Sequence, residues 1–127
     1  MTVWLGRHLG LAIHDEQLAR HGGAAGLRDS GLLDSALARP LNHASDGEPD
    51  TAEIGAIYAL AIARNHPFVD GNKRATFMAL VVFLALNGME FDPPEVEATM
   101  TMLAMAAGEL ADQDFIAWVS RHAVARE

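Results

Sequence analysis

The sequence predicts an all-α fold, a compact bundle of about six helices around a buried central helix. Residues 75–86 are apolar all round, which is typical of a helix buried in a core. Helical spacing recurs before them, and it is clearest in Ile54, Ile57, Tyr58, Ala61 and Ile62. Capping and stop signals separate such segments, and essentially no sheet is expected. A chain of 127 residues predicts one domain, residues 1–127.

The composition narrows the classes of function. Acidic residues number 17 against 9 basic ones, and the resulting charge of −8 argues against direct binding to nucleic acid. No apolar run reaches the length of a membrane span or a signal peptide, so we expect a cytoplasmic protein with no membrane partner. The absence of cysteine excludes disulfides, thiolate catalysis and cysteine-ligated metals.

The first half of the chain predicts three helices. The first runs from about residue 7 to 21 and is ended by two glycines, 22–23. Ser30 can cap a second helix, which we expect to close at Pro40 and to be followed by a mobile polar loop, residues 41–49. A capping box at residues 50–53 opens the third.

The second half predicts three more helices. The central helix stops at Asn87-Gly88, and residues 89–91 read as a short extended connector. A capping box at residues 92–95 opens a fifth helix, and Asp112 can cap the sixth. The stripe predicted to face inward on the fifth helix is Val96, Met100, Leu103, Ala104 and Ala107, and the sixth should carry Phe115, Ile116, Val119 and Ala123.

The segment HPFVDGNKR, residues 66–74, concentrates the chemistry of the chain directly before the central helix. Cations in the first turn of a helix oppose its dipole at a cost of about 0.3–1 kcal/mol each, so Lys73 and Arg74 are unfavourable there without a ligand. An anion bound at the helix N-terminus would make the electrostatic interaction with the two cations and the dipole favourable. Backbone N–H groups at Gly71, Asn72 and Lys73 together with the two cations therefore predict a phosphate-binding site.

Two further side chains of this segment suit a phosphate reaction. Asp70 is placed to hold Mg²⁺, which takes one or two carboxylates together with phosphate oxygens. His66 is the natural proton acceptor. Because Pro67 disfavours helical geometry in the residue before it, we expect His66 to lie in the loop that leads into the site.

HPFVDGNKR resembles the core motif of the Fic/Doc superfamily, and its Lys-Arg ending is similar to the Doc ("death on curing") branch. The resemblance extends to residues 12–15, the glycine pair 22–23, residues 26–40 and the alanine-rich approach to His66. It therefore covers nearly the whole chain, and the all-α fold that it implies agrees with the helical pattern.

The resemblance also implies a function. It implies the toxin of a toxin–antitoxin pair, which transfers the γ-phosphate of ATP to a threonine of elongation factor Tu with the help of Mg²⁺ and arrests translation. His66 would take the proton of the acceptor hydroxyl, Asp70 would bind the metal, and Asn72, Lys73 and Arg74 would hold phosphates with the loop backbone. The implied antitoxin is a short protein whose disordered tail folds along the toxin surface.

Three alternatives stay open. A Fic-type adenylyltransferase, which adds AMP to a protein hydroxyl, has glycine where this chain has Lys73 and a second arginine where it has Phe77. A non-catalytic binding module of the same fold is disfavoured by the intact His66 and Asp70. An ordinary turn that caps the next helix is disfavoured because so many site-type residues meet at one helix tip.

Overall fold

The protein, described from a computed structural model over residues 1–126, is a helical bundle with one short two-stranded sheet. Its elements are α1 (Arg7–His21), α2 (Ser30–Ser45), α3 (Thr51–Asn65), α4 (Asn72–Leu86), β1 (Met89–Phe91), α5 (Glu95–Ala106), α6 (Asp112–His122) and β2 (Ala123–Ala125). The all-α prediction is confirmed, with six helices among the described residues. The last residue of the predicted domain, 127, lies outside them.

The helix buried at the centre of the bundle is α3. Every residue from Ile54 to Ile62 is buried, and α3 packs against α2, α4 and α6. The predicted capping box is half formed at its start: the Asp50 carboxylate accepts a 2.8 Å hydrogen bond from the N–H of Glu53, but the Glu53 carboxylate contacts Nε2 of His43 instead of the Asp50 N–H. The sequence placed α4 at the centre instead, but α4 buries one face and leaves Leu86 exposed. Apolar composition alone does not distinguish a wholly buried helix from one that is buried on one face.

Helix α2 is longer than predicted and begins at a different cap. The Asp29 carboxylate accepts from the N–H of Leu32, so Ser30 is the first helical residue and not the cap. The helix also continues through Pro40 to Ser45, and the expected mobile loop is helical over residues 41–45. Proline inside a helix costs about 3 kcal/mol, but here its ring is buried on the face that packs against α3.

A two-stranded antiparallel sheet joins the chain end to the bundle. β1 is the predicted extended segment, and it pairs with β2 through the partners Met89↔Ala125, Glu90↔Val124 and Phe91↔Ala123. The last helix was predicted to include Ala123, which instead begins β2. The pairing partner lies more than thirty residues away in sequence, so no local pattern could indicate it.

Two predicted caps and one predicted face are wrong in the second half. Pro94 and Ala111 occupy the N-cap positions of α5 and α6, and neither helix has a side-chain cap. Asp112 instead forms a two-point ion pair with Arg64 of α3. On α5 the predicted inward stripe is largely exposed, with Val96 at 77%, Met100 at 65% and Leu103 at 44% exposure, whereas Ala98 and Met105 are buried. No helix in the described chain is long and apolar enough to cross a membrane.

Candidate active site

His66 lies at the exact junction where α3 ends. It is the C-cap of α3, with φ 50° and ψ 56° in the left-handed region, and its N–H donates to the carbonyl of Ile62 at 3.0 Å. Within residues 1–126 it is the one non-glycine residue with positive φ. As predicted, the residue before Pro67 has left the helix. Its side chain is exposed, so the imidazole is available to a reactant.

Helix α4 begins six residues further on, and its N-terminus has no side-chain cap. Gly71 takes the N-cap position at φ 77°, a left-handed conformation that favours glycine. The N–H groups of Asn72, Lys73 and Arg74 occupy the first turn, where helical geometry provides no acceptor. Of the three N–H groups predicted to bind an anion, those of Asn72 and Lys73 lie in this turn, whereas that of Gly71 already donates to the Asp70 carboxylate at 2.8 Å. Anion binding at this turn stays a prediction.

Lys73 and Arg74 are both exposed on this first turn. Arg74 donates weakly to the carbonyl of Gly22, at 3.4 Å. No acidic residue lies in the first turn to offset the two cations. The two cations therefore lie at the positive end of the helix dipole, as the sequence predicted. The charge of the Asp70 carboxylate offsets that of Arg74 in part, and a bound anion would be favoured there.

The Asp70 carboxylate is exposed and held by two backbone N–H groups. Oδ2 accepts from Ala24 at 3.1 Å and Oδ1 accepts from Gly71 at 2.8 Å. These hydrogen bonds, first that from Ala24 and then that from Gly71, hold the pKa of the Asp70 carboxyl below its ordinary value, and the charge of Arg74 acts in the same direction. Asp70 is therefore ionised at neutral pH, in the state that binds a cation.

Asn72 has a structural role that the sequence did not reveal. Its side chain is buried, its Oδ1 accepts from the N–H of Phe68 at 3.0 Å, and its Nδ2 donates to the carbonyl of Phe68 at 2.9 Å. Both ends of the amide are therefore used to close the turn between residues 68 and 72. A contact of Asn72 with a phosphate would have to come from its backbone N–H and not from its side chain.

The segment between α1 and α2 runs antiparallel along HPFVDGNKR. The sequence predicted a small-residue loop over residues 22–26 and left residues 28–29 open between a local turn and the rim of the site. The N–H of Val69 donates to the carbonyl of Gly26 at 3.0 Å, and Leu27 forms an isolated antiparallel bridge with Phe68. Gly23 is pressed against the site, since a Cβ there would meet Asp70 Oδ2 at 2.8 Å. The feature of the sequence that could have indicated this packing is the high number of glycines, because glycine permits positive φ and close approach of the backbone to a neighbouring segment.

His14 is a second residue whose role sequence reasoning missed. It lies on α1 with 2% of its surface exposed, and its imidazole is stacked on the ring of Phe68. Its Nε2 is 2.7 Å from the carbonyl oxygen of Asp70. A histidine at helical spacing among apolar residues gave only a weak hint of this, because the partner lies 56 positions away.

The donor set fits magnesium bound together with a phosphate group. No group of three or more histidine, aspartate, glutamate or cysteine side chains that could hold a metal is present in the described part of the chain. Asp70 is therefore a lone carboxylate donor. Mg²⁺ characteristically binds through one or two carboxylates and completes its shell with water and phosphate oxygens, so the lone carboxylate beside a cationic helix tip is suited to that ion and not to a closed metal cage.

Comparisons of the sequence with known proteins show the family of this chain. The family model described as "Fic/DOC family" matches residues 4–84, a span that includes HPFVDGNKR. The chain is 37% identical over 103 residues to "Protein kinase doc" of Escherichia phage P1, covering 80% of each chain. It is 39% identical over 89 residues to "Toxin Doc" of Mycolicibacterium smegmatis (strain ATCC 700084 / mc(2)155), covering 65% of this chain and 68% of that protein. The chain belongs to the Fic/Doc family, and the resemblance found in the sequence is confirmed.

Proposed function

We propose that this protein is a Doc-like toxin of a toxin–antitoxin system and an ATP-dependent protein kinase. The observation that carries the proposal is the meeting of an exposed histidine, an ionised carboxylate and an uncapped helix end with two exposed cations within residues 66–74. The names of the two relatives, a protein kinase and a toxin, support it.

In the proposed reaction the chain supplies positioning and charge. The oxygen of the acceptor hydroxyl forms a bond to the γ-phosphorus of ATP, the bond from that phosphorus to the β-γ bridging oxygen breaks, and ADP leaves. His66 takes the proton of the hydroxyl. Lys73, Arg74 and the N–H groups of the first turn of α4 neutralise the phosphate oxygens, which is the main demand that phosphoryl transfer makes on a protein.

Asp70 would hold the Mg²⁺ that accompanies ATP. Its two oxygens each accept one backbone hydrogen bond and each keep a further lone pair, so the carboxylate can stay fixed to residues 24 and 71 while it binds a cation. The metal would supply charge neutralisation for the phosphates. Lys73 favours presentation of the γ-phosphate, because a lysine side chain fills space that glycine leaves open to the phosphates in a Fic-type site.

The acceptor that we propose is a threonine of elongation factor Tu, which would place the action in the cytoplasm and make its result an arrest of translation. This choice rests on the family resemblance. Intact-mass spectrometry of the factor, incubated with this protein, Mg²⁺ and ATP, tests it directly. A phosphate adduct that is lost in His66→Ala is expected. An unmodified factor would reject the substrate but leave the kinase proposal to be tested on other proteins.

The second candidate reaction is transfer of AMP. The same mass measurement separates the two reactions, because an AMP adduct is far heavier than a phosphate. The environment of Phe77 disfavours AMP transfer: where the adenylylating motif has an arginine, this side chain is half-buried and packs against Phe91 with ring centroids 6.1 Å apart. An AMP adduct on the acceptor would overturn the kinase assignment.

The proposed antitoxin needs a surface, and α5 offers one. Val96, Met100 and Leu103 recur at i, i+4 and i+7 and are exposed, which is the pattern of an unpaired apolar stripe. We expect the tail of the antitoxin to fold as an amphipathic helix against it. Co-expression with a small reading frame adjacent to the gene provides the test: Met100→Glu should abolish co-purification, and Gln113→Glu, which adds the same charge at an exposed polar position of α6, should not.

A further inference from the structure

Arg28 binds three successive carbonyl groups where α3 ends. Its guanidinium Nε donates to the carbonyl of His66 at 2.8 Å, and its Nη2 donates to the carbonyl of Asn65 at 2.8 Å. Its own backbone N–H donates to the carbonyl of Pro67 at 2.7 Å. One residue, 38 positions earlier in the chain, therefore holds the backbone of residues 65–67.

This backbone needs to be held because His66 is in a costly conformation. The left-handed region costs a non-glycine residue about 1–2 kcal/mol. Such a conformation persists only where the surrounding structure over-determines it. The last carbonyls of a helix also lack intrahelical donors, and a cation at this end is favoured by the helix dipole. The guanidinium of Arg28 supplies donors to the last carbonyls of α3 and a positive charge at the end of the helix, and it holds the strained backbone of His66.

The geometry depends on a guanidinium and not merely on a positive charge. Its planar fork offers two N–H donors at fixed relative positions, whereas the ammonium of lysine is a single point on a flexible stem. None of the ion pairs formed within residues 1–126 includes Arg28, so its side chain is not committed to a carboxylate there. Within the described residues, the polar contacts of its side chain are the hydrogen bonds to the carbonyls of residues 65 and 66.

We propose that Arg28 is a positioning residue for the transfer reaction: it fixes the left-handed backbone of His66 and thereby aims the imidazole at the acceptor hydroxyl. The proposal rests on the proposed function of His66 as the base. Arg28 acts through His66, so its loss should reduce turnover while ATP binding, which depends on residues 70–74, is kept.

The test compares Arg28→Lys with Arg7→Lys. Arg7 is a matched control because its guanidinium also joins two segments, donating to Asp34 at 2.5 Å and to Ser30 at 2.7 Å, away from residues 65–67. In Arg28→Lys we expect kcat to fall on the order of 10- to 100-fold with the KM for ATP nearly unchanged, since a small misplacement of a reacting group has effects of this size. Arg7→Lys should keep wild-type kcat.

A second measurement does not depend on activity. Amide hydrogen exchange of His66, whose N–H bonds to Ile62, should be faster in Arg28→Lys and unchanged in Arg7→Lys. If the wild-type protein transfers no phosphate, the proposed function fails, while the exchange measurement still tests whether Arg28 holds His66. Wild-type kcat or unchanged His66 exchange in Arg28→Lys overturns the inference. Parallel loss of kcat, ATP binding and melting temperature also overturns it, because Arg28 would then support the fold in general.

Discussion

The imidazole of His14 lies flat against the ring of Phe68, with centroids 3.7 Å apart and planes 6° apart. Its Nε2 is 2.7 Å from the backbone carbonyl of Asp70. A carbonyl oxygen only accepts hydrogen bonds, so Nε2 carries a proton and donates it. Helix α1 thus fixes both ends of the turn formed by residues 68–70, the turn on which the proposed metal ligand is placed.

His14→Phe should separate the hydrogen bond from the stacking. Phenylalanine keeps an aromatic ring against Phe68 but cannot donate to Asp70, so the free energy of unfolding should fall by about 1 kcal/mol, the usual net worth of one hydrogen bond. Urea denaturation measures this loss. His8→Phe, at an exposed histidine of the same helix, is the control and should change stability little. Equal stability of His14→Phe and the wild-type protein would show that the contact with Asp70 contributes nothing.

Gly23→Ala should damage the site more than Gly22→Ala. Gly23 and Gly22 have positive φ, 124° and 77°, in conformations that side chains rarely adopt, so alanine costs on the order of 1–3 kcal/mol of backbone strain at either position. At Gly23 the added Cβ would also meet Asp70 Oδ2 at 2.8 Å, whereas at Gly22 nothing lies within 4 Å. We therefore expect both variants to be less stable, but only Gly23→Ala to displace the carboxylate.

Calorimetric titration with ATP, with and without Mg²⁺, distinguishes these two effects. Gly23→Ala should lose the part of the affinity that depends on Mg²⁺, and Gly22→Ala should keep it. A Gly23→Ala protein with wild-type Mg²⁺-dependent affinity would mean that the position of Asp70 does not matter for the nucleotide.

Local signals in the sequence predicted most of the helices and the tip of α4. The cap formed by Asp50, the glycine at position 71 and the proline after His66 each act within four residues of where their effect is seen. A hydrogen bond or a backbone restriction of such short range can be predicted from a single sequence. The predicted site residues, including exposed Lys73, are accordingly found around one helix tip.

The features that the sequence did not predict depend on contacts between residues that are far apart in the chain. Pro40 stays inside α2 because its buried face packs against α3, which outweighs the local cost. The stripe of α5 was assigned to the core by periodicity, but periodicity shows that a face is apolar and not what covers it, so Met100 was misplaced. Arg28 and His14 act on residues far away in the chain, and their partners could be found only in the fold.

The stability conferred by Asp70 should depend on pH in one direction. Its pKa in the folded protein is lowered by the N–H groups of Ala24 and Gly71. A carboxyl group with a lowered pKa stabilises the fold above its unfolded value of about 3.9, and this contribution is lost as the pH falls through the lower folded value. Asp70→Asn should therefore be less stable than the wild-type protein at neutral pH, and the difference should vanish in acid. Thermal unfolding between neutral pH and strong acid measures it, and a difference that is constant over this range would contradict the assignment.

Of two variants that lack the imidazole of His66, His66→Gly should be more stable than His66→Ala, and both should lose activity. At φ 50° a residue with a Cβ is strained and glycine is not, so His66→Gly should be more stable than His66→Ala by about 1 kcal/mol. Both variants lack the imidazole, and both should lose general-base catalysis, commonly worth about 10²–10⁴ in rate. Melting temperature and phosphate transfer are measured side by side on the two proteins.

The sign of the glycine effect makes this prediction specific. Inside a helix, glycine is less stable than alanine by about 0.5–1 kcal/mol, and Ala63→Gly, in the last turn of α3, provides that reference only three residues away. The order of stability should therefore reverse between positions 63 and 66. If His66→Gly were less stable than His66→Ala, the left-handed conformation of His66 would not be a strained state, and the need for Arg28 to hold it would disappear. If His66→Gly were more stable and still fully active, the strain would be real but the imidazole would not be the base.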